Sequence, residues 1–204
     1  MVRQASHQDL QAVAKVHKSC FPDSFSTALG PKLLVKFYEG YLAGAPELFL
    51  VAENDSGEIG GFCMGYYCES NYYTKNFFKN NTMAIGLRVL WLLLSGNKAA
   101  WKKVKGVTCR DQQMQVTNTE FEEINHNATG DLLSICVDAQ YRGSGMAQEL
   151  IDQYQQVLLE QGRTMCLLSV SVRNPRGIRF YERNGFIQIR EVPGVSQTYI
   201  KVLK

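Results

Sequence analysis

The residues best placed to do chemistry in this 204-residue chain lie in LLSICVDAQYRGSGMAQELI, residues 132–151. An apolar run ends at Val137, the turn Gly143-Ser144-Gly145 follows, and a helical pattern begins at once. The first four N–H groups of a helix lack intrahelical partners and sit at its positive dipole end. Glycines let such a backbone approach an anion closely, and Arg142 adds a planar cation suited to phosphate. The chemistry this allows is a pyrophosphate cradle. Glycines also serve strand-to-helix turns for steric reasons alone, so both readings stand at this point. No Gly-Lys-Ser/Thr follows, which excludes a P-loop, and the G-x-G-x-x-G dinucleotide fingerprint is missing.

A second segment, SVSVRNPRGIRFYERNGFIQI, follows about 30 residues later. Asn174 and Pro175 suit the cap and first position of a helix, and Gly185 suits its end. Tyr181 lies on that helix, either as a core aromatic on an amphipathic face or as a proton donor.

The elements that must position these residues follow from periodicity. Val2–Ala5 is a short strand. Ser6 opens a helix with Asp9 as its capping-box partner, and Leu10, Val13, Ala14, His17 and Phe21 keep helical spacing up to Pro22. A second helix starts at Pro31. Leu48–Asn54 and Ile59–Cys68 are strands around turn residues 54–57, with Gly60, Gly61 and Gly65 allowing close backbone approach or a bulge. Asp131–Val137 is a buried strand, Gly145–Glu160 an amphipathic helix, and Met165–Val172 another strand. Gln188–Val192 and Gln197–Val202 close the chain. The order predicts a mixed α/β fold with a central mixed, twisted sheet and helices on both faces. It also predicts one domain, 1–204, with a helical insertion at about 70–128 between the third and fourth strands.

Together the two segments resemble the Gcn5-related N-acetyltransferase (GNAT) superfamily. Gln140, Gly143 and Gly145 meet its Gln/Arg-x-x-Gly-x-Gly/Ala signature. Asn174, Gly177, Phe180, Tyr181, Gly185 and Phe186 meet the pattern that follows it. The opening V-R-Q-A-x-x-x-D-L is similar to the family's first strand and helix, so the resemblance spans all but the insertion. It implies acetyl transfer from acetyl-CoA to a primary amine by direct attack, with no metal. The implied cofactor-binding residues are Ile135, Cys136, Val137, Gln140, Tyr141, Arg142, Gly143, Ser144, Gly145, Met146, Ala147, Asn174 and Tyr181. The pyrophosphate would sit on the turn amides and the pantetheine arm would pair with Ile135–Val137 as an added strand. Tyr181 stands where the family places its general-acid tyrosine, and a backbone N–H near Val137 would face the oxyanion.

Attack requires a neutral amine, although an alkylamine has a pKa of about 10. Glu122, Glu123, His126 and Asp131 precede the key strand, and any of them or a water chain is a candidate base. Cys136 is read as a small buried apolar residue. An acceptor among small-molecule or peptide amines follows. A weaker similarity to bacterial polysaccharide and sugar-nucleotide enzymes points to an amino sugar. A peptide or protein amine is an alternative, as is a non-catalytic acyl-CoA-binding module.

Composition bounds these readings. A hydrophobic fraction of 45%, a charged fraction of 20% and a net charge of +3 describe an ordinary globular protein and give no concentrated basic surface for nucleic acid. Six scattered cysteines and three histidines form no metal-ligand spacing, and reduced thiols in a cytoplasm are expected. Within the insertion, 82–105 combines a Leu/Trp-rich run with four lysines. A helix packed on its own domain, a homodimer face, a lid and a membrane-surface helix are the readings. The apolar residues of Val89–Leu94 run most of the way round, which favours packing over membrane contact.

Overall fold

The computed structural model describes residues 1–67, 72–96 and 126–204. Its seven described strands form one sheet in the order β1-β2-β3-β4-β5-β7-β6. They are β1 Val2–Gln4, β2 Phe49–Glu53, β3 Ile59–Tyr67, β4 Thr129–Val137, β5 Met165–Ser171, β6 Ile187–Val192 and β7 Ser196–Val202. All neighbouring pairs are antiparallel except β4 and β5. The mixed sheet read from the sequence is therefore present.

Helices α1 (Leu10–Cys20), α2 (Phe25–Leu29) and α3 (Pro31–Gly44) connect β1 to β2. The segment between β3 and β4 contributes α4 (Tyr72–Asn80) and α5 (Thr82–Leu94). Beyond it come α6 (Met146–Glu160) and α7 (Pro175–Arg183). One core lies between the sheet and α6, with Leu150, Ile151, Tyr154 and Leu158 fully buried against Leu132, Cys166 and Leu168. The other lies under α1 and α3, where Val13, Tyr38 and Tyr41 meet Phe49, Phe62 and Met64. The helices thus cover both faces, as the alternating pattern requires.

The opening motif has a structural purpose. Arg3 makes two 2.8 Å bonds to the carboxylate of Asp9 and a further bond to Glu53, tying β1 to the start of α1 and to β2. The Arg3 guanidinium holds the Asp9 carboxyl down at about 2. Asp9 also accepts from the N–H and hydroxyl of Ser6. The chain after Ser6 first makes a 3-10 turn, His7–Asp9, so the α-helix starts at Leu10 rather than directly after Ser6.

Two helices were not read from the pattern. The five residues of α2 are too few to show a helical period, and α4 has a polar, aromatic sequence with one buried residue, Phe77. A third difference concerns α5. Ile85 packs with Leu29 of α2 and Phe77 of α4, and Leu92 is buried, but Met83, Leu87, Leu90, Trp91 and Leu94 are exposed. Only one face of the helix meets a described element, so the encircling apolar residues are not all packed. Residues 97–105, with Trp101 and the lysines, lie outside the described residues. No described helix is long and apolar enough to cross a membrane.

Candidate active site

Strands β4 and β5 pair from Thr129↔Met165 to Leu132↔Leu168 and then part. The cause is visible on the other side of β4. Met64 pairs with Ser134 while Gly65 pairs with Leu132, so Leu133 is an extra residue on β4. Such a bulge bends its strand and increases local twist. It sits at the residue where pairing with β5 stops. Gly65 is required there because a Cβ would collide with the Tyr154 hydroxyl and the Asp131 carbonyl.

Beyond the bulge, β4 stays bonded to β3 alone. The N–H of Asp138 donates to Gly60 O at 2.8 Å. Strand alternation then turns the N–H groups of Ile135 and Val137 away from β3, into the opening. Backbone donors in this position need partners, and an extended amide-bearing chain can supply them.

The turn at the end of β4 has the geometry of an anion cradle. Asp138 caps a short 3-10 turn, accepting from Gln140 N–H at 3.1 Å. Ser144 folds back, its hydroxyl donating to Tyr141 O at 2.7 Å. Gly143 and Gly145 have φ of +85° and +92°, a conformation that side chains rarely adopt. A Cβ at Gly143 would point into open space. The N–H groups of Gly143, Gly145 and Ala147 make no hydrogen bond among the described residues. These donors open the 15-residue helix α6, beside exposed Arg142. The residues fit an anionic phosphate group.

Not every residue of this stretch points to the cradle. Tyr141 packs its ring over Gly60 and its hydroxyl bonds Glu58 at 2.7 Å and Asn54 at 3.0 Å, which pins the turn to the β2–β3 hairpin. The side chain of Met146 enters the core under α6, and that of Cys136 enters the core under α1. Their contribution to a ligand would be through backbone. Gln140 and Ser144 are exposed on the turn.

The β5 arm of the opening leads into α7. Asn174 caps that helix, its Oδ1 accepting from Gly177 N–H at 2.9 Å, which leaves Nδ2 as a donor. Tyr181 packs between Phe180 and Phe186, with ring centroids 5.6 and 5.7 Å away. Burial pushes its phenol well above the ordinary value, and the thiols of Cys166, Cys136 and Cys63 add to the push. Its hydroxyl has no hydrogen-bond partner among the described residues. A protonated, unengaged hydroxyl is what a general acid requires.

On the other side of the bulge lies a cavity of about 400 Å³, reached by Leu133 and Ser134 and walled by α1, α2, α3 and α4. His17 lines it, buried at 8% exposure. Its Nδ1 lies 2.6 Å from Tyr38 Oη and its Nε2 3.3 Å from Ser24 Oγ. Ser24 gives its own proton to Thr27 Oγ1, so the neutral ring satisfies the set with Nε2–H donating and Tyr38 donating to Nδ1. Burial lowers the His17 pKa to about 4. The sequence signal was a histidine at an apolar position of the first helix, four residues before Phe21, and it carried no hint of a cavity.

The His17 shift gives a pH prediction. The unfolded chain binds a proton near 6.5 and the folded chain near 4, so the unfolded state holds more protons between those values. Stability then rises as pH goes from 4 to 6.5 and levels off above. Urea denaturation at pH 4.5 and 7.5 should show a smaller difference for His17→Gln than for the parent. An equal difference would mean that His17 is not held neutral.

Of the base candidates, Asp131 lies in the fully paired part of β4 and does not line the cavity. His126 lies in a 3-10 turn before β4, and Glu122 and Glu123 fall outside the described residues. Cys20, Cys63, Cys136 and Cys166 are free thiols. No group of three His, Cys, Asp or Glu that could hold a metal ion occurs among the described residues.

The family model of the acetyltransferase (GNAT) domain matches residues 106–188, which include the bulged strand, the glycine turn and α7. The match, over less than half of the chain, is to a domain of the GNAT superfamily. Its members are acyltransferases, and acetyl-CoA is the family's acyl donor. Solved structures show the same fold. An acetyltransferase matches at TM-score 0.63 and 22% identity over 100% of both chains. Ard1 from Thermoplasma volcanium matches at 0.61 and 17%, over 100% of this chain and 97% of its own. The NatB acetyltransferase complex, solved bound to CoA and MES, matches at 0.61 and 18%, over 100% of this chain and 99% of its own. No curated protein matches at a significant level.

Proposed function

We propose that this protein is a cytoplasmic N-acetyltransferase of the GNAT superfamily that moves the acetyl group of acetyl-CoA to a primary amine by direct attack, with residues 1–204 acting as one domain. The observation that carries the reading is the opening between β4 and β5, flanked by unpaired backbone donors and ending in the glycine turn. The amides of Gly143, Gly145 and Ala147, with Arg142, hold the pyrophosphate. Ile135 and Val137 pair with the pantetheine arm, and Asn174 Nδ2 donates to it. The thioester supplies an activated acyl carbon. An N–H of the opening faces the developing oxyanion, and Tyr181 gives its proton to the departing sulfur.

Calorimetric titration of acetyl-CoA into the protein tests this directly. Saturable one-to-one binding is expected, weaker for a dephospho or desulfo fragment. Acetyl-CoA at 100 times its dissociation constant should stabilise the fold by about 2.7 kcal/mol. A folded sample that binds no acetyl-CoA would reduce the cradle to a turn and overturn the reading.

A further inference from the structure

The cavity next to the bulge is walled mainly by aromatic and aliphatic side chains. Phe21, Phe25, Phe37, Phe77, Phe78 and Leu133 are among its lining residues, and no Lys, Arg, Asp or Glu lines it among the described residues. Most of its polar groups are committed to one another, and the hydroxyls of Ser26 and Ser134 are the others on its wall. His17 bonds Tyr38 and Ser24, Ser24 bonds Thr27, and Thr74 Oγ1 lies 2.6 Å from Tyr41 Oη. A ring of sugar hydroxyls would enter without enough partners, and buried unpaired hydroxyls are costly. A diphosphate, a substrate carboxylate or a second ammonium group would meet no countercharge. A volume of about 400 Å³ suits a small organic molecule, and aromatic walls favour an aromatic guest.

We propose that the acceptor is an uncharged-bodied arylalkylamine, a small primary amine on an aromatic group, and not the amino sugar that the sequence resemblance suggested. This rests on the acetyl-transfer reading. Phe77 and Phe78 of α4 then make the wall that selects it. The same cavity prepares the nucleophile. An apolar wall disfavours an ammonium ion, so the amine releases a proton to water at the mouth as it enters. His17, held neutral in that wall, reports the same bias. The neutral amine lone pair then forms the C–N bond to the thioester carbonyl carbon. The C–S bond breaks with its electron pair on sulfur. Tyr181 protonates the sulfur, and the proton lost from nitrogen returns, through water, to the Tyr181 oxygen. No carboxylate base is needed.

The test measures three things on the full chain. Acetyl-CoA binding is followed by calorimetry. Thiol release is followed with 2-phenylethylamine, glucosamine, spermidine or a short peptide with an N-terminal Phe. Thermal shift is followed with 2-phenylethylamine alone. The expected result is a kcat/KM for 2-phenylethylamine at least tenfold above each of the others, and a rise in Tm without acetyl-CoA. Phe78 is 38% exposed, so Phe78→Glu should fold. It should raise KM for 2-phenylethylamine at least tenfold while acetyl-CoA binds as before. Glucosamine, spermidine or the peptide matching 2-phenylethylamine would overturn the acceptor class alone, as would an unaltered KM in Phe78→Glu or no thiol release from 2-phenylethylamine while acetyl-CoA binds. Absence of acetyl-CoA binding would instead overturn the transfer reading and this inference with it.

Discussion

Tyr181→Phe is expected to lower kcat by about 10²–10⁴-fold, the usual size of a general acid–base contribution, with little change in acetyl-CoA affinity. The substitution removes one oxygen and no packing. The ring keeps its contacts with Phe180 and Phe186, and the lost hydroxyl leaves no partner unsatisfied among the described residues. Stability should therefore stay within about 1 kcal/mol of the parent. Burial holds the phenol protonated at neutral pH. The same burial disfavours a thiolate formed beside it, so the phenol and the departing sulfur are raised together and the transfer stays feasible. The measurement is single-turnover thiol release, with calorimetric affinity for acetyl-CoA as the control. An unchanged rate would assign Tyr181 to the core alone.

Some of this site could be read from residue types, because the constraint is local. Gly143 and Gly145 need positive φ, and a glycine advertises that in the sequence. Asn174 and Pro175 mark a helix start because capping involves only the next three residues. The strands themselves, such as Phe49–Glu53 and Ile59–Tyr67, were legible as apolar runs on either side of turn residues. The features that turn the motif into a site were not readable in this way. The extra residue Leu133 is a property of pairing between β3 and β4, and nothing in DLLSICV by itself says which residue is unpaired. The end of β4–β5 pairing at Leu132↔Leu168 is likewise a relation between two strands. The cavity joins Phe21 and Phe37 to Phe77, about 40–55 positions along the chain, through helices whose own periods were short or mixed. His17 looked like a core position and is one. Its meaning lies in the empty space beside it, which only the fold creates.

That distinction decides how the cradle should be tested. Gly145→Asp is expected to abolish acetyl-CoA binding in a protein that still folds. Gly145 is the N-cap of α6 with φ of +92°. Asp tolerates left-handed backbone better than most residues and is a favourable N-cap, so helix α6 should be retained at a cost of about 1–2 kcal/mol in strain. A Cβ there lies 4.0 Å from the Glu149 carboxylate and otherwise meets open space, so no core packing is disturbed. The new carboxylate instead occupies the field of the helix terminus that the pyrophosphate would use. At about 5 Å and an effective dielectric near 20, one extra negative charge opposes each phosphate charge by about 3 kcal/mol, roughly a hundredfold in affinity. Gly145→Ala separates the two effects, because it carries the backbone strain without the charge and should bind far more tightly than the Asp variant. Calorimetry on the three proteins at low salt, repeated at high salt, gives the ranking and its screening. Equal affinity in all three would mean that the amides of Gly143, Gly145 and Ala147 hold no phosphate, whatever the fold around them.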